Sequence, residues 1–378
     1  MIQNEKNSNC KKKPLLLFSP LDWGLGHTTR SLPILREFLH YGFEIIVACN
    51  SIQKLILAAE LPNLAFTALE GYNVNYPRNG AGFRWKIGSQ LINILTKVKH
   101  ENQWVCKFTA SHAVDLILSD NRYGFHHPAV PSVFITHQLA PKTGLGRKSD
   151  ALVQRFLYRH INKFTECWIP DVQQAPSLSG ELSHTQKLPH TAIQYIGQLT
   201  RFHENISIAT EDNLLLLVLS GPEPQRTIFE NIVLQQLPAA PYKTIVVRGL
   251  PAAKQQPNPV DSVVFYNHLE AEQLNDLALK AQYVLCRPGY TSLMDMLSLK
   301  KKMIVVPTPG QTEQEYLAGH LSKHKIAVSF EQKNFDLRNA LATAAHYSFN
   351  NFQTNTTAYK GAIGEIVSRV CATSNVSS

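Results

Sequence analysis

Short apolar runs alternate with amphipathic segments along the chain, and the alternation starts twice. In the first half PLLLFSP (14–20) reads as a buried strand, TTRSLPILREFLHYG (28–42) as one amphipathic helix ended by Gly42, and FEIIVACN (43–50) as the next strand. VDLILSD (114–120) and PSVFITHQ (131–138) are further apolar runs closed by polar residues. Runs without alternation suit parallel strands covered on both faces, and their polar C-terminal tips are where open α/β sheets keep ligands. After a mixed polar stretch the pattern restarts with LLLLVLS (214–220), RTIFENIVLQQL (226–237), KTIVVRG (243–249), SVVFYN (262–267), EQLNDLALKA (272–281), YVLC (283–286) and MIVVP (303–307). The expectation is two α/β domains facing across a cleft. Their bounds are a disordered tail at 1–13, an N-terminal domain at 14–197, a linker at 198–212 and a C-terminal domain at 213–350. A final helix and tail occupy 351–378.

Composition changes this picture little. A chain of 378 residues exceeds one typical core, and 44% hydrophobic with 17% charged residues describes a folded protein. The six cysteines lie far apart in sequence, so neither a zinc clip nor a disulfide framework is expected. The N-terminal MIQNEKNSNCKKK has no apolar segment of the secretory kind, and the longest apolar runs are strand-sized. A cytoplasmic protein is therefore expected. The net charge of +9 admits nucleic acid, an anionic membrane face or a phosphorylated small molecule as partner. No basic stripe interleaved with aromatics is present, so nucleic acid is not expected.

Chemistry enters at the strand tips. DWGLGHTTR (22–30) joins the first strand to the first helix, and Gly24 and Gly26 let a ligand approach the backbone closely. A dinucleotide fingerprint would need a third glycine where Thr29 stands and an acid where the second strand ends in Asn50, so NAD is not expected. His27 is placed to act as a general base on a hydroxyl. Asp120, His126, His127 and His137, at the tips of other N-domain strands, are rivals or acceptor-side residues.

In the second half SGPEPQR (220–226) offers Ser220, Gly221 and Arg226 after one strand. RPGYTSLMD (287–295) offers Arg287 for phosphate oxygens, Gly289 and Ser292 at a helix start, and Asp295 for vicinal ribose hydroxyls. VVPTPGQTEQEYLA (305–318) adds Gln311, Gln314 and Glu315, amides and an acid suited to sugar hydroxyls. Together these read as a diphosphate-plus-ribose site.

With those motifs in place the chain resembles GT-B glycosyltransferases of the lipid-II-forming N-acetylglucosaminyltransferase and galactolipid-synthase type, with a C-terminal domain like that of UDP-glycosyltransferases. RPGYTSLMD lies without gaps on an HGGxxSxxE core, with Gly289, Ser292 and Asp295 on its glycine, serine and glutamate. Gln314 and Glu315 fall on a Gln-Gln pair that holds the donor sugar, DWGLGH on an N-terminal GGTGGH, and SGPEPQR on a GGSxG loop. The resemblance implies the GT-B fold, two Rossmann-like domains with the donor in the C-terminal one and the acceptor near His27. It further implies inverting transfer from a UDP-sugar, as co-substrate, to a hydroxyl of a lipid or glycan. No cofactor and no obligatory metal follow from it, and the last helix is expected to cross back to the first domain. A nucleotide-sugar hydrolase or epimerase, or a non-catalytic nucleotide-sugar-binding protein, is the alternative.

Two features stand apart. FRWKIGSQLINILTKVK (83–99) reads as a basic amphipathic helix suited to the inner face of an anionic membrane, with Phe83 and Trp85 as anchors. His320 and His324 have the one-turn spacing of metal ligands but lack an acid to complete a site, so a surface pair is expected.

Overall fold

The computed structural model describes residues 13–72, 83–237, 242–259 and 262–376, with backbone alone for 83–94 and 373–376. The side chains that would make 83–99 a membrane helix thus lie mostly outside the described residues. In chain order the N-terminal domain holds β1 (Leu15–Pro20), α1 (Gly26–Arg30), α2 (Leu32–His40), β2 (Glu44–Cys49), α3 (Ser51–Glu60), β3 (Ala65–Ala68) and α4 (Phe83–Ser111). It continues with β4 (Leu116–Asp120), β5 (Ser132–Ile135), α5 (Arg147–Ile161), β6 (Glu166–Ile169) and β7 (Ala192–Tyr195). The C-terminal domain holds β8 (Glu211–Val218), α6 (Gln225–Leu234), β9 (Lys243–Val247), β10 (Val263–Tyr266), α7 (Ala271–Lys280), β11 (Ala281–Cys286) and α8 (Tyr290–Ser298). Then come β12 (Lys302–Val305), α9 (Thr312–Lys323), β13 (Ala327–Ser329), α10 (Leu337–His346) and α11 (Ala358–Val376).

Both sheets are parallel, in the orders β3-β2-β1-β4-β5-β6-β7 and β10-β9-β8-β11-β12-β13. Each order reverses beside its first strand, β1 or β8, and leaves a crevice at the carboxyl ends of the central strands. Register decides which loops meet there. Pro20 lies opposite Asp120, so the loop after β1 sits beside the tip of β4. Cys286 lies opposite both Val218 and Val305, so the loops after β8, β11 and β12 share one edge.

The single helix expected over 28–42 is two helices. Pro33 stands in the first turn of α2, where its missing N–H costs nothing, whereas within a continuous helix its ring would clash with the preceding turn. Ser31 separates the short α1, carrying His27 and Arg30, from α2. Asn50, at the tip of β2, caps α3: it accepts from Gln53 N, and the Gln53 side chain answers to Asn50 N.

Apolar packing runs through both domains. One buried cluster joins Leu16 and Phe38 of the first to Leu216 and Met303 of the second, by way of α8 and α11. α11 lies against α2, with Ile363, Ile366 and Val370 buried. Cys371 in the same helix is disulfide-bonded, against the expectation of no disulfide framework. Truncating Ile363→Ala, fully buried within that cluster, should cost about 2–5 kcal/mol. Urea unfolding should show it as a lowered midpoint with the fold retained.

Candidate active site

A cleft of about 450 Å³ lies between the domains, within the size range of small-ligand sites. From the N-terminal domain Trp23, Gly24, Gly26, His27, Asn121 and His137 line it; from the C-terminal domain Ser220, Gly221, Gly289, Ser292, Asp295, Gln311, Glu313 and Gln314 do so. The two glycine-bearing loops nearly touch. Gly24 needs its left-handed φ of +82°. A Cβ on Gly26 would stand 2.9 Å from Thr291 Oγ1 of the opposite domain, so only glycine fits without a shift.

His27 Nδ1 is 2.8 Å from Asp120 Oδ1. Asp120 is fully buried, and burial would raise its carboxyl, but Arg30 and His27 beside it hold it well below the ordinary 3.8. An ionised carboxylate accepts only, so Nδ1 carries the proton and Nε2 is left as acceptor. Burial and then the Arg30 charge lower the His27 pKa from 6.5, with Asp120 opposing them. At neutral pH the imidazole is therefore uncharged and able to take a proton.

Arg30 was not singled out from the sequence. Its guanidinium is fully buried and clasps Asp120, Nε to Oδ2 at 2.7 Å and Nη2 to Oδ1. Its Nη1 donates to His137 Nδ1 at 3.2 Å, and His137 Nε2 is 2.8 Å from Glu313 Oε1 across the cleft. His137 also stacks on Tyr290, ring centres 4.1 Å apart and 12° from parallel, while the Tyr290 hydroxyl donates to Pro170 O. Asn121, left-handed at φ 61°, turns the chain after Asp120; its Oδ1 is buried without a hydrogen-bond partner among the described residues.

On the donor side Gly289 caps α8 with its backbone and no side-chain cap is made. The first-turn N–H groups of α8, at Tyr290, Thr291 and Ser292, thus stand at the cleft wall without a side-chain acceptor. Asp295 lines the cleft, and linker residues hold it: Oδ1 accepts from Thr200 Oγ1 at 3.0 Å, Oδ2 from Arg201 Nε at 3.3 Å. Burial pushes its carboxyl upward, with Arg201 opposing. Gln314 Oε1 accepts from Thr308 N, which turns its NH₂ outward as a donor. Gln311 Oε1 is buried with no partner among the described residues, an acceptor that a ligand hydroxyl would satisfy.

Four expected site residues point elsewhere. Arg287, 1% exposed, donates to Val306 O, Pro307 O, Gln225 O and Gln332 Oε1, with its guanidinium over the Phe229 ring. It serves carbonyls just beyond β12 and at the start of α6, so both Nη groups are spent inside the domain, while Nε is buried with no hydrogen-bond partner among the described residues. Arg226 is held by Glu223, Glu230 and Arg248 O. Glu315 is exposed and accepts from Gly310 N; its neighbour Glu313 is the acid at the cleft. His126 packs against Phe164 and Asn102 away from the cleft, where burial lowers its pKa to about 4. Helical phase explains the misassignment at 313–315: residues two apart on α9 face different ways.

Arg201, also unmarked in the sequence, lines the cleft from the linker. His320 is half-buried, as is His324, and it donates to Ser177 O of the N-terminal domain. Among the described residues no group of three His, Cys, Asp or Glu could share a metal ion, and no helix is long and apolar enough to cross a membrane.

Residues 226–369 match the glycosyltransferase family 28 C-terminal domain. No curated protein matches the chain. Among solved structures the chain is similar to UGT89C1 of Arabidopsis thaliana complexed with UDP-L-rhamnose, at 13% identity over 95% of this chain and 99% of that one, TM-score 0.63. It is similar to the glycotransferase of kitacinnamycin at 14% identity over 97% and 95%, TM-score 0.59. The spinosyn rhamnosyltransferase SpnG gives 14% identity over 94% and 96%, TM-score 0.58. The fold is GT-B, and the C-terminal domain is that of a glycosyltransferase.

Because the Nη donors of Arg287 end on the carbonyls of Val306, Pro307 and Gln225 and on Gln332, Arg287→Ala should act on stability before binding. Each buried acceptor left unpaired costs roughly 1–3 kcal/mol. Thermal unfolding should fall by several degrees, with nucleotide affinity unchanged in the protein that remains folded.

Proposed function

We propose that this GT-B glycosyltransferase moves a sugar from a UDP-sugar to a hydroxyl acceptor with inversion, His27 serving as base. One observation carries the reading: the His27–Asp120 pair faces the uncapped start of α8 across a cleft of ligand size. The acceptor O–H gives its proton to His27 Nε2 as its oxygen bonds to the anomeric carbon. The bond from that carbon to the diphosphate oxygen breaks on the far side, and UDP leaves with the electron pair. Asp120 holds the imidazole by its Nδ1–H and offsets the positive charge the ring gains, much as the carboxylate of a catalytic triad does.

The charge that develops on the diphosphate has three sources of support at the opposite wall: the first N–H groups of α8, the loop of Ser220 and Gly221, and the Arg201 guanidinium. Arg201 takes this part in place of Arg287 and Arg226, whose terminal guanidinium nitrogens are bonded inside the domain. Asp295, Gln311 and Gln314 face the same space with acceptors and a donor suited to ribose and sugar hydroxyls. A UDP-sugar donor is supported by a neighbour of the same fold that was solved with UDP-L-rhamnose. The acceptor is a hydroxyl compound, lipid or glycan, entering beside His27.

The pH profile has a definite sign. With its pKa lowered from 6.5, His27 is in the base form throughout neutral pH and loses it only as pH falls through the lowered value. Transfer should be flat from pH 7 upward and hold through 6.5, the ordinary imidazole value, falling only at lower pH.

The test begins with UDP and a panel of UDP-sugars in thermal denaturation. A donor at 100 times its Kd adds about 2.7 kcal/mol of stability, and Asp295→Ala should reduce that shift. His27→Ala should keep the shift yet lower transfer by about 10²–10⁴. A uridine nucleotide without any effect on stability would remove the donor from the reading. UDP released at full rate without an acceptor would make the protein a hydrolase.

A further inference from the structure

The His27 pair does not end in its own domain. From Asp120 the contacts pass to Arg30, to His137 and to Glu313, which is carried by the first turn of α9 in the opposite domain. A guanidinium only donates, so Arg30 Nη1 at 3.2 Å makes His137 Nδ1 an acceptor and leaves the ring proton on Nε2. That Nε2–H then points at Glu313 Oε1, 2.8 Å away. The orientation of His137 is thus set from both sides, and Tyr290 stacked at 4.1 Å holds its plane.

Charge sharpens the point. Around His27 stand Asp120 from β4, Arg30 from α1, His137 after β5 and Glu313 from α9, with the neutral Gln138 amide beside the His137 ring. The network contains two carboxylates and one guanidinium. Both acids are ionised at neutral pH, because their neighbours outweigh burial and hold them below their ordinary values. One negative charge is therefore unmatched until His27 takes up a proton. Remove Glu313 and the balance inverts: Arg30 and Asp120 already cancel, and a protonated His27 would add an uncompensated charge beside a buried guanidinium.

We propose that Glu313 is a positioning residue that makes His27 a stronger base when the donor domain is seated against the acceptor domain. It acts through His137 and through its field, without touching the reacting atoms. Drawing the domains apart would take the carboxylate away, so basicity at His27 is tied to closure of the cleft. This rests on the reading of His27 as the base, but the coupling itself is measurable without any substrate.

The experiment is a proton-nitrogen NMR titration of the full chain labelled with ¹⁵N-histidine, with His27 assigned from the loss of its signals in His27→Ala. Glu313→Gln keeps the shape and a hydrogen-bond acceptor for His137 while deleting the charge. It should move the His27 midpoint downward by about one unit, and Glu313→Asp should restore most of that shift. No donor is present, so a role for Glu313 confined to gripping the donor sugar would leave the titration unmoved. An unchanged His27 midpoint in Glu313→Gln, in protein whose other histidine signals match wild type, overturns the proposal. If the midpoint moves but His27→Ala still transfers sugar at the wild-type rate, the coupling stands and the assignment of the base fails instead.

Discussion

A fully buried guanidinium against a fully buried carboxylate, Arg30 on Asp120, is the interaction on which the site depends. Neither charge is tolerable alone in that place, since burial of an unpaired ion costs several kcal/mol even after relaxation. Each therefore fixes the other, and the pairing fixes the geometry around both. Asp120 is held at the tip of a central strand and Arg30 at the end of a five-residue helix, so His27, three residues before Arg30, can reach only one carboxylate oxygen. The histidine inherits its tautomer from that constraint.

The same cost accounts for the direction in which Arg287 and Arg226 turn. At the carboxyl edge of a parallel sheet several carbonyls emerge together without strand partners, and burying them unpaired is expensive. A long, multiply donating side chain rooted at that edge satisfies them, and Arg287 does so across the ends of β11 and β12. Arg226 and Arg248 close a comparable buried set around Glu230. The backbone N–H groups at the start of α8, which has no side-chain cap, and the linker Arg201 stand instead at the cleft wall.

The linker is thus part of the site as well as a connection. Thr200 and Arg201 hold Asp295, and Gln198 and Asn355 exchange hydrogen bonds where α11 begins its return to the first domain. Closure of the cleft, the seating of Glu313 on His137 and the packing of α11 on α2 belong to one mechanical arrangement, with a single apolar cluster running beneath it.

The alternation of apolar runs and amphipathic segments was enough to determine two parallel α/β domains, because a strand buried on both faces and a helix packed along one stripe each leave a periodic mark in the chain. Glycines at 24, 26 and 289 and the histidine at 27 were legible for a similar reason: backbone access and a lone titratable group at a strand tip are local properties. What the local pattern did not carry is direction. Whether an arginine turns to the ligand or back to the sheet, and whether residue 313, 314 or 315 faces the cleft, depends on which carbonyls lack partners and on the rotation of a helix against its neighbours. Those are decided by the register of distant strands and by the meeting of two domains: Arg30 and Asp120 are 90 residues apart, and His137 and Glu313 are 176 apart. Only the tertiary structure could bring them within a hydrogen bond, and only there does the cost of an unpaired buried charge choose the partner.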